Sequence, residues 1–237
     1  MVTETAISVN DLRYRWRKGH ADVLDIPSWK VAKGEHIFIR GASGSGKSTL
    51  LALLAGVLLP QQGDNQILDK YVNRLSASQR DHFRADHIGF VFQLFNLIPY
   101  LSVIENVILP CRFSRFRKSK VNACGRSLEQ EAIRLLNHLD MAGDKLLHRP
   151  VTELSVGQQQ RVATARALIG SPEIVIADEP TSALDSEMRE AFIELLFQEC
   201  RESGSTLLFV SHDRQLESLF RHHIPLEELN RLEQETA

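Results

Sequence analysis

Three cysteines in 237 residues, an odd number without metal-ligand spacing, give no basis for a disulfide framework. Cys111, Cys124 and Cys200 read instead as free thiols of a reducing compartment. Long apolar runs are missing too. The longest, Leu50 to Leu59, is only about half of what a membrane-spanning helix needs. Met1 to Ala6 shows no basic start leading into an apolar stretch, so no secretory signal is expected. A basic excess is also absent: the formal net charge is -2, which argues against a general nucleic-acid binder. No internal repeat and no low-complexity linker is visible. What remains is an ordinary globular composition, 43% hydrophobic and 24% charged, suited to one large domain or one domain with an inserted lobe.

Short strand-like runs crowd both ends of the chain. Ile7 to Leu12 alternates loosely and predicts an edge strand, followed by an aromatic and basic stretch from Tyr14 to Lys18. Val23 to Val31 and His36 to Arg40 read as strands, the second ending at a glycine-rich turn before an apolar helix over Lys47 to Val57. Gly63 and Asp64 mark a turn, and Ile88 to Phe92 is a further strand. Strands return at Glu173 to Ala177 and Thr206 to Val210, with helices over Gln158 to Ile169 and Glu187 to Glu202. Alternating strands and helices imply an α/β core with a mainly parallel sheet. Between them the dense strands stop, and Ala132, Leu135, Leu136 and Leu139 repeat at helical spacing. The expected organisation is therefore a core of about 1–93 and 153–237, with a helical lobe of about 94–152 inserted.

Two stretches carry chemistry, the second through its pairing with the first. Gly41, Ala42, Ser43, Gly44, Ser45, Gly46, Lys47 and Ser48, followed by Thr49, form a phosphate-binding loop pattern with a strand before it and a helix after it. Glycines let successive N–H groups point at phosphate oxygens, and the helix N-terminus adds a positive dipole. Lys47 would reach the terminal phosphates and the Ser48 hydroxyl would ligate magnesium. The apolar run from Ile174 ends in Asp178 and Glu179. Such a strand can deliver Asp178 to magnesium and place Glu179 to polarise an attacking water. A third stretch, Leu154 to Gln158, opens a helix: Ser155 suits its cap and Gly157 allows close backbone approach, which makes a second anion-binding helix end.

Phosphate loop, pentapeptide and Asp-Glu strand, in that order, resemble the ATP-binding cassette proteins. The pentapeptide is similar to their signature, with Val156 in place of its first glycine and Ser155, Gly157 and Gln158 retained. The resemblance implies a P-loop core with an N-terminal antiparallel β region and an inserted helical subdomain. It implies ATP and magnesium as ligands and ATP hydrolysis as the activity. It also implies a role for Gln93 at magnesium and the attacking water, for Asp185 in the loop that crosses to a second subunit, and for His212 at the γ-phosphate. Family members stack adenine on an aromatic residue about thirty positions before the loop lysine, which favours Trp16 over Tyr14. The resemblance ends near His212. Members commonly finish with an Asp-Gly hairpin, whereas Arg221 to Ala237 has none, and the pairing of the last strand is left open.

One phosphate loop and one signature per chain imply a head-to-tail pair with ATP between the two copies. Leu94 to Pro110, apolar, aromatic and broken by proline, either packs the helical lobe or docks an integral membrane subunit. Its wording resembles the subgroup serving lipoprotein release, macrolide export and antimicrobial-peptide detection. On that reading the chain sits on the cytoplasmic face of the membrane through its partner, and no nucleic acid is expected. The alternative is a soluble cassette ATPase acting on nucleic acid or ribosomes. Arg112 to Lys120 places five basic residues in nine around Phe113 and Phe116. It reads first as a solvated loop before a helix, and secondarily as a site for lipid head groups or nucleic acid, its position just past the proposed docking segment favouring the membrane surface.

Overall fold

The computed structural model describes residues 4–141, 143–182, 184 and 186–234. In chain order, β1 (Thr5–Tyr14), β2 (Leu24–Ala32) and β3 (His36–Arg40) precede α1 (Lys47–Leu54). Next come β4 (Gln62–Ile67), β5 (Lys70–Tyr71), α2 (Ala77–His87) and β6 (Ile88–Val91). Four helices follow: α3 (Val103–Phe113), α4 (Arg115–Ala123), α5 (Leu128–His138) and α6 (Asp144–Leu147). Then α7 (Val156–Leu168), β7 (Ile174–Asp178), α8 (Ser186–Ser203) and β8 (Thr206–Ser211) alternate. The last elements are β9 (His222–Pro225), α9 (Leu226–Leu229) and α10 (Arg231–Gln234). This is the expected α/β class, with parallel strands, an N-terminal antiparallel sheet and a run of helices in the middle. The fold comprises two compact units, one of residues 4–84 and 206–234, the other of residues 85–205.

In the first unit, an antiparallel sheet has the order β2-β1-β4-β5. Apolar residues face each other across β1 and β2 at Ile7↔Val31, Val9↔Trp29 and Leu12↔Ile26, which fixes the register by burying one set of side chains. β1 is not the edge strand the alternation suggested, because β4 pairs along its other side. The turn expected at Gly63 and Asp64 is likewise part of β4. Gly63 has φ 85°, and a Cβ there would stand 2.3 Å from the Asp11 carbonyl oxygen. Its left-handed backbone serves an irregularity in the β1–β4 ladder rather than a chain reversal. The helix expected to reach Val57 stops at Leu54, since Gly56 at φ 67° takes the chain out of the helical region.

The same unit holds three parallel strands in the order β8-β3-β9. β8 is buried along its whole length and β3 at Ile37, Phe38 and Ile39, as befits strands covered on both faces. Phe38, Phe209 and Phe220 pack with ring centroids 5.1 to 5.9 Å apart. The pairing left open at the C-terminal end is now defined: β9 runs parallel to β3, from Ile37↔His222 to Arg40↔Pro225. Beyond it, the buried Asn230 accepts from the Asp25 N–H and donates to the Val23 carbonyl, tying residue 230 to the start of β2.

The second unit is built on the parallel pair β6–β7, with Ile88↔Ile174 through Val91↔Ala177 in register. Gly89 is there for approach: a Cβ would lie 2.2 Å from the Ala167 carbonyl oxygen, so only glycine lets β6 come so near the end of α7. Leu135, Leu136, Val103, Val107 and Val162 supply the apolar interior between helices. The basic stretch 112–120 is not a loop. It spans the end of α3 and most of α4, and Ser114 caps α4 by accepting from the Arg117 N–H. Arg117 points inward. Its guanidinium donates to the Ala167 and Ile169 carbonyls, closing the C-terminal end of α7, and burial pulls it down to about 10.

Candidate functional site

At the phosphate loop the chain leaves β3 and enters α1 through Gly44 at φ 83° and Gly46 at φ 99°. Neither angle suits a residue with a Cβ, and Gly46 also lies close to Leu24 and Val23. The Lys47 ammonium folds back onto the loop, donating to the Gly41 and Ala42 carbonyls at 2.6 and 2.8 Å. Ser45 Oγ is buried without a hydrogen-bond partner among the described residues, a polar atom inside the loop that an anion would satisfy. Ala42, Ser43, Gly44 and Ser48 are exposed, while Thr49 is buried at the start of α1. This curl of N–H groups and one ammonium fits a polyphosphate.

Strand register places His212 in the same neighbourhood. Arg40 and Ser211 are opposite each other on β3 and β8, so the phosphate loop and His212 leave the same end of two adjoining parallel strands. Ligands gather at the carboxyl ends of strands in open α/β sheets. His212, Gly41 and Ala42 line a cavity of about 460 Å³, shared with Arg214 and two residues of the C-terminal segment, Glu227 and Glu228.

The two aromatic candidates separate by burial. Tyr14 is 6% exposed and ends β1, whereas Trp16 is 61% exposed and meets it edge-on at 5.3 Å. The Tyr14 carbonyl accepts from the Val23 N–H, and Val23 would be 3.5 Å from a Cβ on Gly46. Trp16 is thus an open ring two residues past the end of β1, and Val23, the partner of Tyr14, lies against Gly46 of the phosphate loop.

In the second unit the register is equally informative. Val91 is opposite Ala177, so Gln93 and Glu179 lie two residues past a paired position on neighbouring parallel strands. Gln93 is exposed and Glu179 is buried, the latter held at φ 47°, a strained angle for a residue with a side chain. Asp178, half-buried, ends β7. The pentapeptide forms a reciprocal cap: Ser155 Oγ accepts from the Gln158 N–H, and Gln158 Oε1 accepts from the Ser155 N–H. α7 consequently opens at Val156, two residues earlier than expected. Gly157 is loosely packed, its nearest neighbour for a Cβ being Leu184 at 3.5 Å. Asp185 lies outside the described residues.

Two buried polar residues of α7 carry no signal in the sequence. Arg166, in the last turn of α7, donates to the Phe95 and Asn96 carbonyls at 2.5 and 2.7 Å. Those residues have φ 59° and 49°, so one arginine holds the strained loop just after Gln93. Burial lowers its pKa. Gln160 is wholly buried, and neither end of its amide has a partner among the described residues, an arrangement that costs about 1–3 kcal/mol. Neither residue differs in sequence from a polar position on a solvated helix face.

A family model described as ABC transporter matches residues 24–182. The ABC transporter ATP-binding protein YtrE of Bacillus subtilis is 41% identical over 203 residues, 86% of this chain and 84% of the relative. The uncharacterized ABC transporter ATP-binding protein YbbA of Escherichia coli is 40% identical over 218 residues, 91% and 92% of the two chains. Among solved structures, the ATP-binding cassette MJ0796 bound to ADP and Pi, a dimeric post-hydrolysis state, superposes with a TM-score of 0.80 at 34% identity. That match covers 92% of this chain and 93% of the other.

Proposed function

The chain belongs to the ABC transporter family, and from that footing we propose that it is the ATP-hydrolysing subunit of a complex whose membrane-spanning part is a separate protein. Binding ATP and hydrolysing it are the family's activity, and the curled phosphate loop with its orphaned Ser45 hydroxyl is the observation that carries the reading here. No helix of the described residues is long and apolar enough to cross a membrane, which is consistent with the proposed separate spanning partner.

The proposed division of labour follows the strand ends. Gly41 to Thr49 cradle the phosphates, Lys47 turns from its loop carbonyls to the terminal phosphates, and Trp16 stacks on adenine. Stacking of this kind is worth roughly 1–3 kcal/mol in nucleic-acid binders. Ser48, Gln93 and Asp178 would hold magnesium, which when bound neutralises charge on the terminal phosphates. Glu179 takes the proton of the attacking water, Gln93 orients that water, and His212 donates toward the γ-phosphate. Ser155, Gly157 and Gln158 serve the nucleotide of a second copy, with Asp185 in the loop between copies. The dimeric MJ0796 structures support this pairing. Subgroup and docking rest on Leu94 to Pro110, where Leu94 is 83% and Tyr100 84% exposed, an apolar surface of the kind partners cover. The domain plan proposed is one cassette, a core of about 1–93 and 153–237 with the helical lobe 94–152.

Arg166 is a positioning residue on this reading. Arg166→Met is expected to lower ATP turnover roughly tenfold to a hundredfold with ATP affinity unchanged, because only the loop after Gln93 is released. Turnover equal to the parent would show that the loop is held by other means.

The deciding experiment is recovery of partners from detergent-solubilised membranes of the source cell with tagged Glu179→Gln protein and ATP. One stoichiometric integral membrane protein is the expected catch. Ribosomes or nucleic acid, or an ATP dimer alone, would move the assignment to a soluble cassette ATPase.

A further inference from the structure

The basic stretch divides its side chains between two jobs. Arg117 is spent inside the second unit on the end of α7, and Lys120 is held by the Glu173 carboxylate and the Ser171 carbonyl, each at 2.7 Å. Arg112, Arg115 and Lys118 are exposed and make no ion pair among the described residues. Between them stands Phe113, 73% exposed, and beside them Phe116, which rests one side against His87 and Lys120 and leaves the rest to solvent. Ser114 makes the arrangement possible. It ends α3 and caps α4, and its hydroxyl also donates to Asp86, so the chain turns there with both phenylalanines close to the bend. Three carboxylates of this region have partners of their own: Asp86 accepts from the Ser114 hydroxyl, Glu173 pairs with Lys120 and His87, and Glu105 closes the capping box of α3. Glu105 is the one whose charge interacts with Arg112.

We propose that Arg112, Phe113, Arg115, Phe116 and Lys118 form a contact surface for an anionic lipid bilayer. Its occupant is argued from charge and chemistry together. Three exposed cations in seven residues, none of them ion-paired among the described residues, create a local positive field on a chain of net charge -2, and a bilayer rich in acidic head groups offers the complementary charge over a broad plane. An exposed phenylalanine amid cations has its natural place at the boundary of head group and acyl chain. Nucleic acid would match the charge but gives Phe113 nothing apolar to enter unless bases are unpaired. The surface needs no membrane subunit, and so stands or falls separately from the proposed partner.

The test is sedimentation of the full-length protein with vesicles of phosphatidylcholine, with and without phosphatidylglycerol. Binding is expected only when phosphatidylglycerol is present, and it should weaken as salt is raised. Each cation is expected to contribute about fivefold, so Arg112→Gln, Arg115→Gln and Lys118→Gln combined should lower vesicle affinity roughly a hundredfold. Phe113→Ser should lower it roughly tenfold while leaving the preference for anionic vesicles. These side chains are exposed, so unchanged thermal unfolding and unchanged ATP turnover in solution show that the variants are folded. Equal binding by the triple variant, no preference for anionic vesicles, no vesicle binding by the parent, or tighter binding to DNA than to vesicles at the same salt would each overturn the proposal.

Discussion

Glu179→Gln is expected to lower ATP turnover by about 10² to 10⁴ while leaving ATP binding intact. The substitution keeps shape and removes only the capacity to accept a proton. Glutamine occupies the same volume at a backbone position already held at φ 47°, so it adds no new strain. Because ATP still binds but is not consumed, the protein should accumulate as an ATP-dependent dimer. Phosphate release measures the first effect and light scattering with and without ATP measures the second. Turnover like the parent's would place the general base elsewhere. A slow monomer would separate the two claims, keeping the base and discarding the pairing.

Ser155→Arg should abolish turnover without weakening ATP binding to the isolated subunit. Ser155 is exposed and belongs to a helix end, not to the phosphate loop of its own chain. Losing its cap costs about 1 kcal/mol of helix stability, far too little to unfold the chain. An arginine there would instead fill the space in which a second copy's phosphates are proposed to lie. Mixing makes the test sharper. Lys47→Ala is expected to be inactive because it weakens ATP binding. A mixture with Ser155→Arg protein can assemble one intact pairing of Lys47 with Ser155, so activity should reappear. If Ser155→Arg alone turned over ATP normally, the composite site would be wrong.

How much of this could be read from the sequence follows from the range of the interactions. The phosphate loop, the buried run of β7 and the capping box at Ser155 are encoded within a few residues each, by glycine placement, apolar continuity and an i, i+3 pair. The second edge of β1 was not legible, because strand partners distant in sequence leave no mark on alternation. Gly63 misled for a related reason: glycine advertises a positive φ but not whether a turn or an irregular ladder uses it. The stretch 112–120 looked like a solvated loop because five cations seldom hide one of their number, yet Arg117 is buried to close α7. Arg166 and Gln160 left no signal at all. Their meaning depends on which carbonyls, or none, the fold brings to them.

β3, the strand that feeds the phosphate loop, finds both of its neighbours late in the chain: His36 is opposite Leu207, and Ile37 opposite His222. Partners so far apart in sequence close large loops, which slows folding and postpones it until both ends exist. On a ribosome that makes the chain from its N-terminus, Lys47 emerges long before the strands that frame its loop. Only when residues 206–230 have cleared the exit tunnel can β8 and β9 flank β3 and Asn230 fasten to Val23 and Asp25. A nascent fragment ending before β8 would carry the whole phosphate-loop sequence without either of the strands that flank β3.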